Sequence, residues 1–598
     1  MHRVSRTARA TVVVGLTLGY AGAVFQVWTP RFWNAGLGDW IDPYFINSLL
    51  EWWYSSLARL ENPASPPVFY PTPGTLGYSH GLVLYVPFYV PLRWLLHPFQ
   101  AYNLAILLVV VTGTLSLYWV LRRAFSLTFV EALVLTAFFA ASPNVLDSGL
   151  NTWTQRASVY LVPPILLVGV AALAATRWRS ALAFGTGWLA TLLFTQDFYS
   201  GHFTFMFAGC GLVPFVVARL AGAVDWDGTT RPARVALIVG IGAAAWSAVV
   251  ALTGGGTIRI PGAAIKSTDP VRPLILALVA FCVFAWGRNL RAPLSVRSLP
   301  RGSLALAAGM LAGGLIFLWI YLPIYLTVPG FGEEEFQRQL RDRDAALLLR
   351  PWQLMANDHA FATVRGLGLI AAAVAAAWWP SASLPAGLRG AAVFWLAVSI
   401  LVFVIPFRFG DFSVWADLLR PLPGFNAIRD PLRIVYQYEL AAVLAVAFVL
   451  SRIVTARWRR AALILVAVVL MTVSPNRTVF EFNRPNRDFD RWVAAPIRVD
   501  PACRAFYMAP APPEYLARSP EPWTLYSNDA AFIALRLGVP TLHGVSAWTP
   551  DDWHVRQPDA PGFADAVRQW VDQHRLTGVC SLDVARRTMA PEPAIARP

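Results

Sequence analysis

Charged side chains are scarce in this chain: Asp, Glu, Lys and Arg together make up 14% of 598 residues, against 56% hydrophobic residues and a mean hydropathy of +0.50. So little charge over such a length excludes a soluble globular protein and leaves a polytopic membrane protein. Cysteine is scarcer still, with four residues. Cys210 and Cys282 fall inside apolar runs and are expected to pack as small apolar side chains. Cys503 and Cys580 lie in the tail and form a candidate disulfide if that compartment is oxidising. No Cys and His spacing resembles a zinc site. A phosphate-cradling glycine loop is also missing, because Gly254-Gly255-Gly256 has no Lys after it and reads as a flexible turn. The first apolar run, preceded by Arg3, Arg6 and Arg9, lacks a small-residue cleavage site and is expected to stay as a helix.

What is present is a series of apolar stretches from Ala8 to Met471, each long enough to cross a hydrocarbon core of roughly 30 Å. The formal charge of +15 is spread over short loops without interleaved aromatics, which argues against nucleic acid as a partner. It follows topology instead. Arg122-Arg123, Arg177 with Arg179, Arg231 with Arg234, the run from Arg288 to Arg301 and that from Arg452 to Arg460 all become cytoplasmic on one condition. The segment from Gly81 to Leu96, with Pro87, Pro91, Arg93 and His97, must not cross. About 13 crossings result, with the N-terminus in the cytoplasm and the C-terminus outside. The unusual chemistry then lies on the external face: a first loop 29–100, later loops 329–360 and 406–431, and the tail.

The first external loop opens with Gly38-Asp39-Trp40-Ile41-Asp42-Pro43-Tyr44-Phe45, two carboxylates where lipid is near and charge is costly. Asp42 followed by Pro43 also reads as a helix start, with Asp capping free N–H groups. A plain N-cap and a carboxylate placed as a general base are both open readings. Beyond it Phe45, Ile46, Leu49, Trp53, Leu57 and Leu60 recur at helical spacing, which predicts an amphipathic helix in the membrane interface.

This order of parts, a first span, an Asp-Pro-aromatic-Phe motif at Asp42-Pro43-Tyr44-Phe45, an amphipathic helix and a later Tyr70-Pro71, resembles the membrane glycosyltransferases of the GT-C superfamily. It is distantly similar to the catalytic subunits of oligosaccharyltransferases over residues 8–473. The resemblance implies an all-α polytopic GT-C-like fold with a small α/β external C-terminal domain at 474–598. It also implies a polyprenyl phosphate or pyrophosphate sugar donor, a glycan or lipid acceptor, and a bacterial inner membrane with the tail in the periplasm. Carried over by position, Asp42 becomes the catalytic candidate with Asp39 as its partner. The family places a lipid-phosphate-binding arginine where this chain has Arg429, then Arg433, with Arg408 third; a surface ion pair of Arg429 with Asp430 or Asp411 is the alternative.

Two departures narrow the expectation. The second external loop, around Ser142 to Arg156, has Asp147 in place of paired acids. One carboxylate does not make a hard-oxygen site for Mg or Mn, so an enzyme without a divalent cation fits better. The tail lacks the Trp-Trp-Asp-Tyr-Gly motif that reads the acceptor sequon, which argues against protein N-glycosylation. Gln196-Asp197-Phe198-Tyr199-Ser200-Gly201-His202 lies between two apolar runs; Gln196, Asp197, Tyr199 and His202, with His80, are candidate substrate contacts or parts of a hydrogen-bonded hairpin. Glu333-Glu334-Glu335 and Asn357-Asp358-His359 are weaker candidates in a loop rich in ion pairs. In the tail, strands are expected at Phe506 to Met508 and Val579 to Leu582, and helices at Asp529 to Leu537 and Phe563 to His574. The function expected is external transfer of a lipid-linked sugar; a flippase of lipid-linked glycans and a non-catalytic GT-C-like scaffold are the alternatives.

Overall fold

The computed structural model describes residues 6–141, 154–205, 231–253, 301–327, 435–452 and most of 480–591, with short pieces at 256–260, 263–267, 408–409 and 412–413 and a few isolated positions. The chain divides into two compact units, the first taking residues 1–201, 308–337 and 470–598 and the second 202–307 and 338–469. Up to residue 201 the helices of the first include α1 (Arg6–Val24), α2 (Pro30–Asn34), α3 (Asp42–Arg59), α4 (Val86–Arg93), α5 (Pro98–Ala124), α6 (Phe129–Ala140), α7 (Val162–Ala174) and α8 (Arg179–Gln196). The second unit contains α9 (Arg231–Thr253), the antiparallel hairpin β2–β3 (Gly256–Ile260 and Ala263–Ser267), the short pair β4–β5 (Arg408–Phe409 and Phe412–Ser413) and α11 (Val435–Arg452). Helix α10 (Arg301–Thr327) joins the first unit from Ala308 onward.

Among the described residues, four helical segments are long and apolar enough to cross a membrane: Thr7–Val24, Pro98–Ala124, Thr154–Ala174 and Gly302–Ile324. The expected total of about 13 extends over residues outside this set. Val12, Leu16 and Leu18 of α1 and Leu311 and Leu315 of α10 are exposed, as lipid-facing side chains would be. Helix α10 packs on α8 through Gly309 and Gly313, spaced four apart. A Cβ at Gly313 would lie 2.8 Å from Thr191 Cβ and 2.9 Å from Trp188 O, so the small residue is what lets the backbones meet. Helix α4 has eight residues, with Pro91 inside it. At 1.5 Å per residue it is about 12 Å long, too short to cross. Glu51 of α3 ties it down, taking two hydrogen bonds from Arg93 Nε at 2.8 and 3.1 Å and one from Tyr89 Oη at 2.7 Å.

The tail supplies a four-stranded sheet in the order β7 (Arg498–Val499), β10 (Thr588–Pro591), β9 (Val579–Asp583), β8 (Ala505–Met508). β8 and β9 pair in parallel, and β9 and β10 antiparallel. Along β8, Phe506 and Met508 join a core with Ala530, Ile533 and Ala534 of helix α12 (Pro522–Leu537), while Ala505 and Tyr507 face Val567, Trp570 and Val571 of α13 (Phe563–Gln573). The two-residue alternation thus buries both faces of the sheet, one under each helix. A disulfide joins Cys503, just before β8, to Cys580 in β9, with Cα atoms 5.6 Å apart.

This core is shared with the first loop. Tyr44 and Phe99 belong to the α12 side, and Phe69 packs edge-on against Trp553 on the other. The backbone from Pro67 to Tyr70 bonds to the tail: Thr541 N donates to Pro67 O, Phe69 N to His543 O, and Tyr70 N to Thr541 O, each at 3.0 Å. A second junction pairs β1 (Ala35–Leu37) antiparallel with β6 (Phe482–Pro485). Helix α3 forms where its spacing predicts, yet it does not expose one face to an interface. Tyr44, Ile46, Leu49, Leu50, Trp52 and Trp53 are buried, and so are Asn47, Ser48 and Ser56. Its neighbours α4, α5 and α12 cover it on more than one side.

Candidate active site

The segment that carries Asp39 is fixed from two directions. Fully buried Asn103 of α5 accepts from Leu37 N at 2.8 Å and donates to Phe32 O and Ala35 O at 2.7 and 2.9 Å. From the tail, Asn483 Nδ2 donates to Asp39 O at 2.8 Å, and Gly38 N donates to Glu481 O at 2.8 Å. Gly36 makes this approach possible, since a Cβ there would collide with the Asn483 amide. Gly38, at φ 90°, then takes a left-handed conformation that turns the chain toward Asp39. The Asp39 carboxylate accepts from Ile41 N at 2.9 Å and closes the turn before α3.

Asp42 is not the helix cap. The N-cap position is Ile41, without a capping side chain, and Asp42 is the first helical residue with Pro43 behind it. Asp39 performs the local backbone bonding that Asp42 was a candidate for, which leaves the Asp42 carboxylate free for a longer reach. It accepts from Gln155 Nε2 at 2.9 Å. A carboxylate in the first helical turn is favoured by the exposed N–H groups there.

Asp39 is pushed up to about 7, first by burial and then by the negative charges of Asp42, Glu481 and Glu521, against the opposing pull of the Ile41 N–H. A carboxyl poised there exchanges protons at neutral pH, which an ordinary carboxylate does not. Among the described residues no three His, Cys, Asp or Glu side chains converge as a metal-ligand group. Asp147, the single acid of the second external loop, lies outside the described residues.

Gln155 belongs to a tight helical segment, Thr154–Leu161, that enters the Thr154–Ala174 span. Its backbone is pinned from α5 and from the first loop: Tyr102 Oη donates to Thr154 Oγ1 at 2.7 Å, and Tyr85 Oη to Thr154 O at 3.0 Å. Gln155 is 3% exposed, and its Oε1 has no hydrogen-bond partner among the described residues. Sequence reasoning missed it: it is one polar residue at the mouth of a span, and no local pattern ties it to an acid 113 positions earlier.

The other predicted contacts form a separate, internally bonded cluster. Asp197, fully buried, accepts from Ser200 Oγ at 2.9 Å, Tyr199 N at 3.2 Å and Ser158 Oγ at 3.3 Å, with His80 Nδ1 3.4 Å away. Gln196 Oε1 accepts from Leu84 N and Tyr85 N at 2.9 and 3.2 Å. Tyr85 therefore bridges this cluster to Thr154 and Gln155. Tyr199 is buried and His202 half-buried on the helical stretch that follows. Arg429 and Arg433 lie outside the described residues, as do Glu333-Glu334-Glu335 and Asn357-Asp358-His359. Arg408 begins β4, paired with Ser413.

No family model matches the chain, and no curated protein matches it. Among solved structures it is similar to the oligosaccharyltransferase AglB of Archaeoglobus fulgidus in complex with an inhibitory peptide and a dolichol-phosphate. That match has 12% identity and a TM-score of 0.44, covering 96% of this chain and 69% of that one. The apo form of the Archaeoglobus fulgidus oligosaccharyltransferase gives 11% identity and a TM-score of 0.45 over 96% and 69%. Its complex with Zn and sulfate gives 12% and 0.43 over 95% and 67%.

Proposed function

We propose that the chain is an integral membrane glycosyltransferase of the GT-C kind, moving a sugar from a polyprenyl phosphate or pyrophosphate to a hydroxyl of an envelope glycan or lipid on the external face. One observation carries this reading: two carboxylates stand three positions apart just beyond the first span, Asp42 opening α3 and Asp39 on a preceding turn held from both sides by Asn103 and Asn483. In the step itself the acceptor O–H gives its proton to a carboxylate while its oxygen bonds to the anomeric carbon. The bond from that carbon to the lipid phosphate breaks, and its electron pair leaves with the phosphate. Asp39 is the better proton acceptor because its ionisation falls near neutrality, and Asp42, oriented by Gln155, holds the hydroxyl in line. Arg429, Arg433 and Arg408 are the proposed partners of the departing phosphate. The cluster of Gln196, Asp197, Tyr199 and His80 acts through Tyr85 as support for the Gln155 segment, and His202 is a proposed substrate contact in its own right.

The test is transfer in proteoliposomes containing the full chain, polyprenyl-phosphate-linked radiolabelled sugars and envelope extract. Asp39→Asn and Asp42→Asn are each expected to lower transfer by about 10²-fold or more, the usual contribution of a positioned base. Equal transfer by wild type and both variants overturns the reading. Movement of labelled lipid across the bilayer without transfer replaces it with a flippase.

A further inference from the structure

The described groups at the candidate site are acceptors almost without exception. Asp39 and Asp42 are carboxylates, and the described donors that reach them are already used, Ile41 N on Asp39 and the Gln155 amide, through Nε2, on Asp42. The other end of that amide, Oε1, is buried and finds no partner among the described residues. A buried amide oxygen left unbonded is costly, and no described residue offers it a donor. Tyr102 and Tyr85 pin the backbone at Thr154 and Gln155, and the bond from Nε2 to Asp42 holds the amide itself. Flipping the amide would aim its oxygen at the Asp42 carboxylate, so the orientation is set by charge as well as by packing.

We propose that Gln155 is a substrate-reading residue whose Oε1 accepts a hydrogen bond from a saccharide hydroxyl next to the one held by Asp42, so that the pair recognises a vicinal diol. This rests on the glycosyltransferase reading and deepens it, because it names which part of the saccharide is read. A site rich in acceptors and poor in donors suits a neutral polyol, whose hydroxyls supply the missing hydrogens. It repels anionic groups on the same ligand. Rejection of analogues lacking the hydroxyl follows from the same physics, since the buried amide oxygen is then left unpaired again.

The probes are methyl glycosides of glucose, mannose and galactose and their single-deoxy derivatives, with binding to the full chain in lipid nanodiscs followed by saturation-transfer NMR. Wild type is expected to bind at least one glycoside and to lose about tenfold in affinity when one specific hydroxyl is removed, as for one buried hydrogen bond. In Gln155→Met that deoxy penalty is expected to disappear, with parent and deoxy sugar binding equally weakly. Gln155→Glu keeps an acceptor oxygen at the same place on the side chain. It is expected to retain the penalty, which a purely steric role for the side chain would not predict, and it serves if the Met variant fails to fold. No binding by wild type, or an unchanged penalty in Gln155→Met, or its loss in a folded Gln155→Glu, overturns the assignment. The two readings fail separately: lack of transfer by wild type removes the glycosyltransferase and leaves the binding result standing, whereas an unchanged penalty removes only the role of Gln155.

Discussion

At the scale of single residues the pair Asp39 and Asp42 divides its labour through position. Asp42 starts a helix and is held by an amide. Asp39 sits on a turn among three other acids and pays for burial with a raised pKa, to about 7. A raised folded-state value means that the folded protein binds more protons than the unfolded chain between roughly pH 4 and pH 7. The contribution of Asp39 to stability is therefore complete below pH 4 and is lost as pH rises through 7. Activity runs the opposite way, since a base works only when deprotonated. The transfer rate at low acceptor concentration is expected to rise about tenfold per pH unit on the acid side and level off near pH 7. A profile from pH 5 to 9 on wild type checks this; a limb centred near 4 would assign the proton to another group. The sequence singled out both acids by their cost beside lipid, but their roles depend on Glu481 and Glu521, more than 400 residues away in the chain.

At the scale of elements, the Tyr44 of the acidic motif is an anchor for three of them. Its hydroxyl donates to Asp529 of α12, which also takes two hydrogen bonds from Arg484 Nη1 of β6 at 2.6 and 2.7 Å and one from Tyr515 Oη at 2.7 Å. Arg484 and Asp529 are both buried. Through them the start of α3 is fixed to the strand that clamps Asp39. Removing one charge leaves the other buried without its partner, so Arg484→Met is expected to cost about 3–5 kcal/mol, while Arg484→Met with Asp529→Leu recovers much of it. Thermal unfolding of the two proteins in detergent measures the difference, and equal transitions would mean that the pair does not bear on stability. The helix 42–59 and the non-crossing segment around Pro87 and Pro91 were legible, because periodicity and proline act locally. The cap was not: Ile41 takes that position because Asp39, two residues earlier, already bonds its N–H.

At the scale of the whole first unit, the tail reads in sequence as a separate piece after the last apolar run, and β8, β9, α13 and the second half of α12 were legible, whereas the short strands β6, β7 and β10 were not. Its boundary was not, because a core completed by residues hundreds of positions away leaves no mark on composition. Phe506, Phe532 and Ile533 of the tail share one cluster with Tyr44 and Phe99, and Trp553 and Trp570 share the other with Phe69. Trp570 Nε1 also donates to Tyr70 O at 2.8 Å, and Arg59 to Leu535 O at 2.7 Å. A fragment of residues 474–598 would expose both of these apolar surfaces together with an unpaired β6 edge, a surface that favours association over folding. The fragment, secreted so that Cys503 and Cys580 can pair, is expected to show no cooperative thermal transition and to bind a hydrophobic dye. Supplying residues 29–100 on the same chain is expected to restore part of the transition by returning Tyr44 and Phe69 to their clusters. A monomeric 474–598 fragment that melts sharply would show instead that the tail holds its own core and that the first loop merely docks on it. The clamp on Asp39 would then be a joint between two folded bodies.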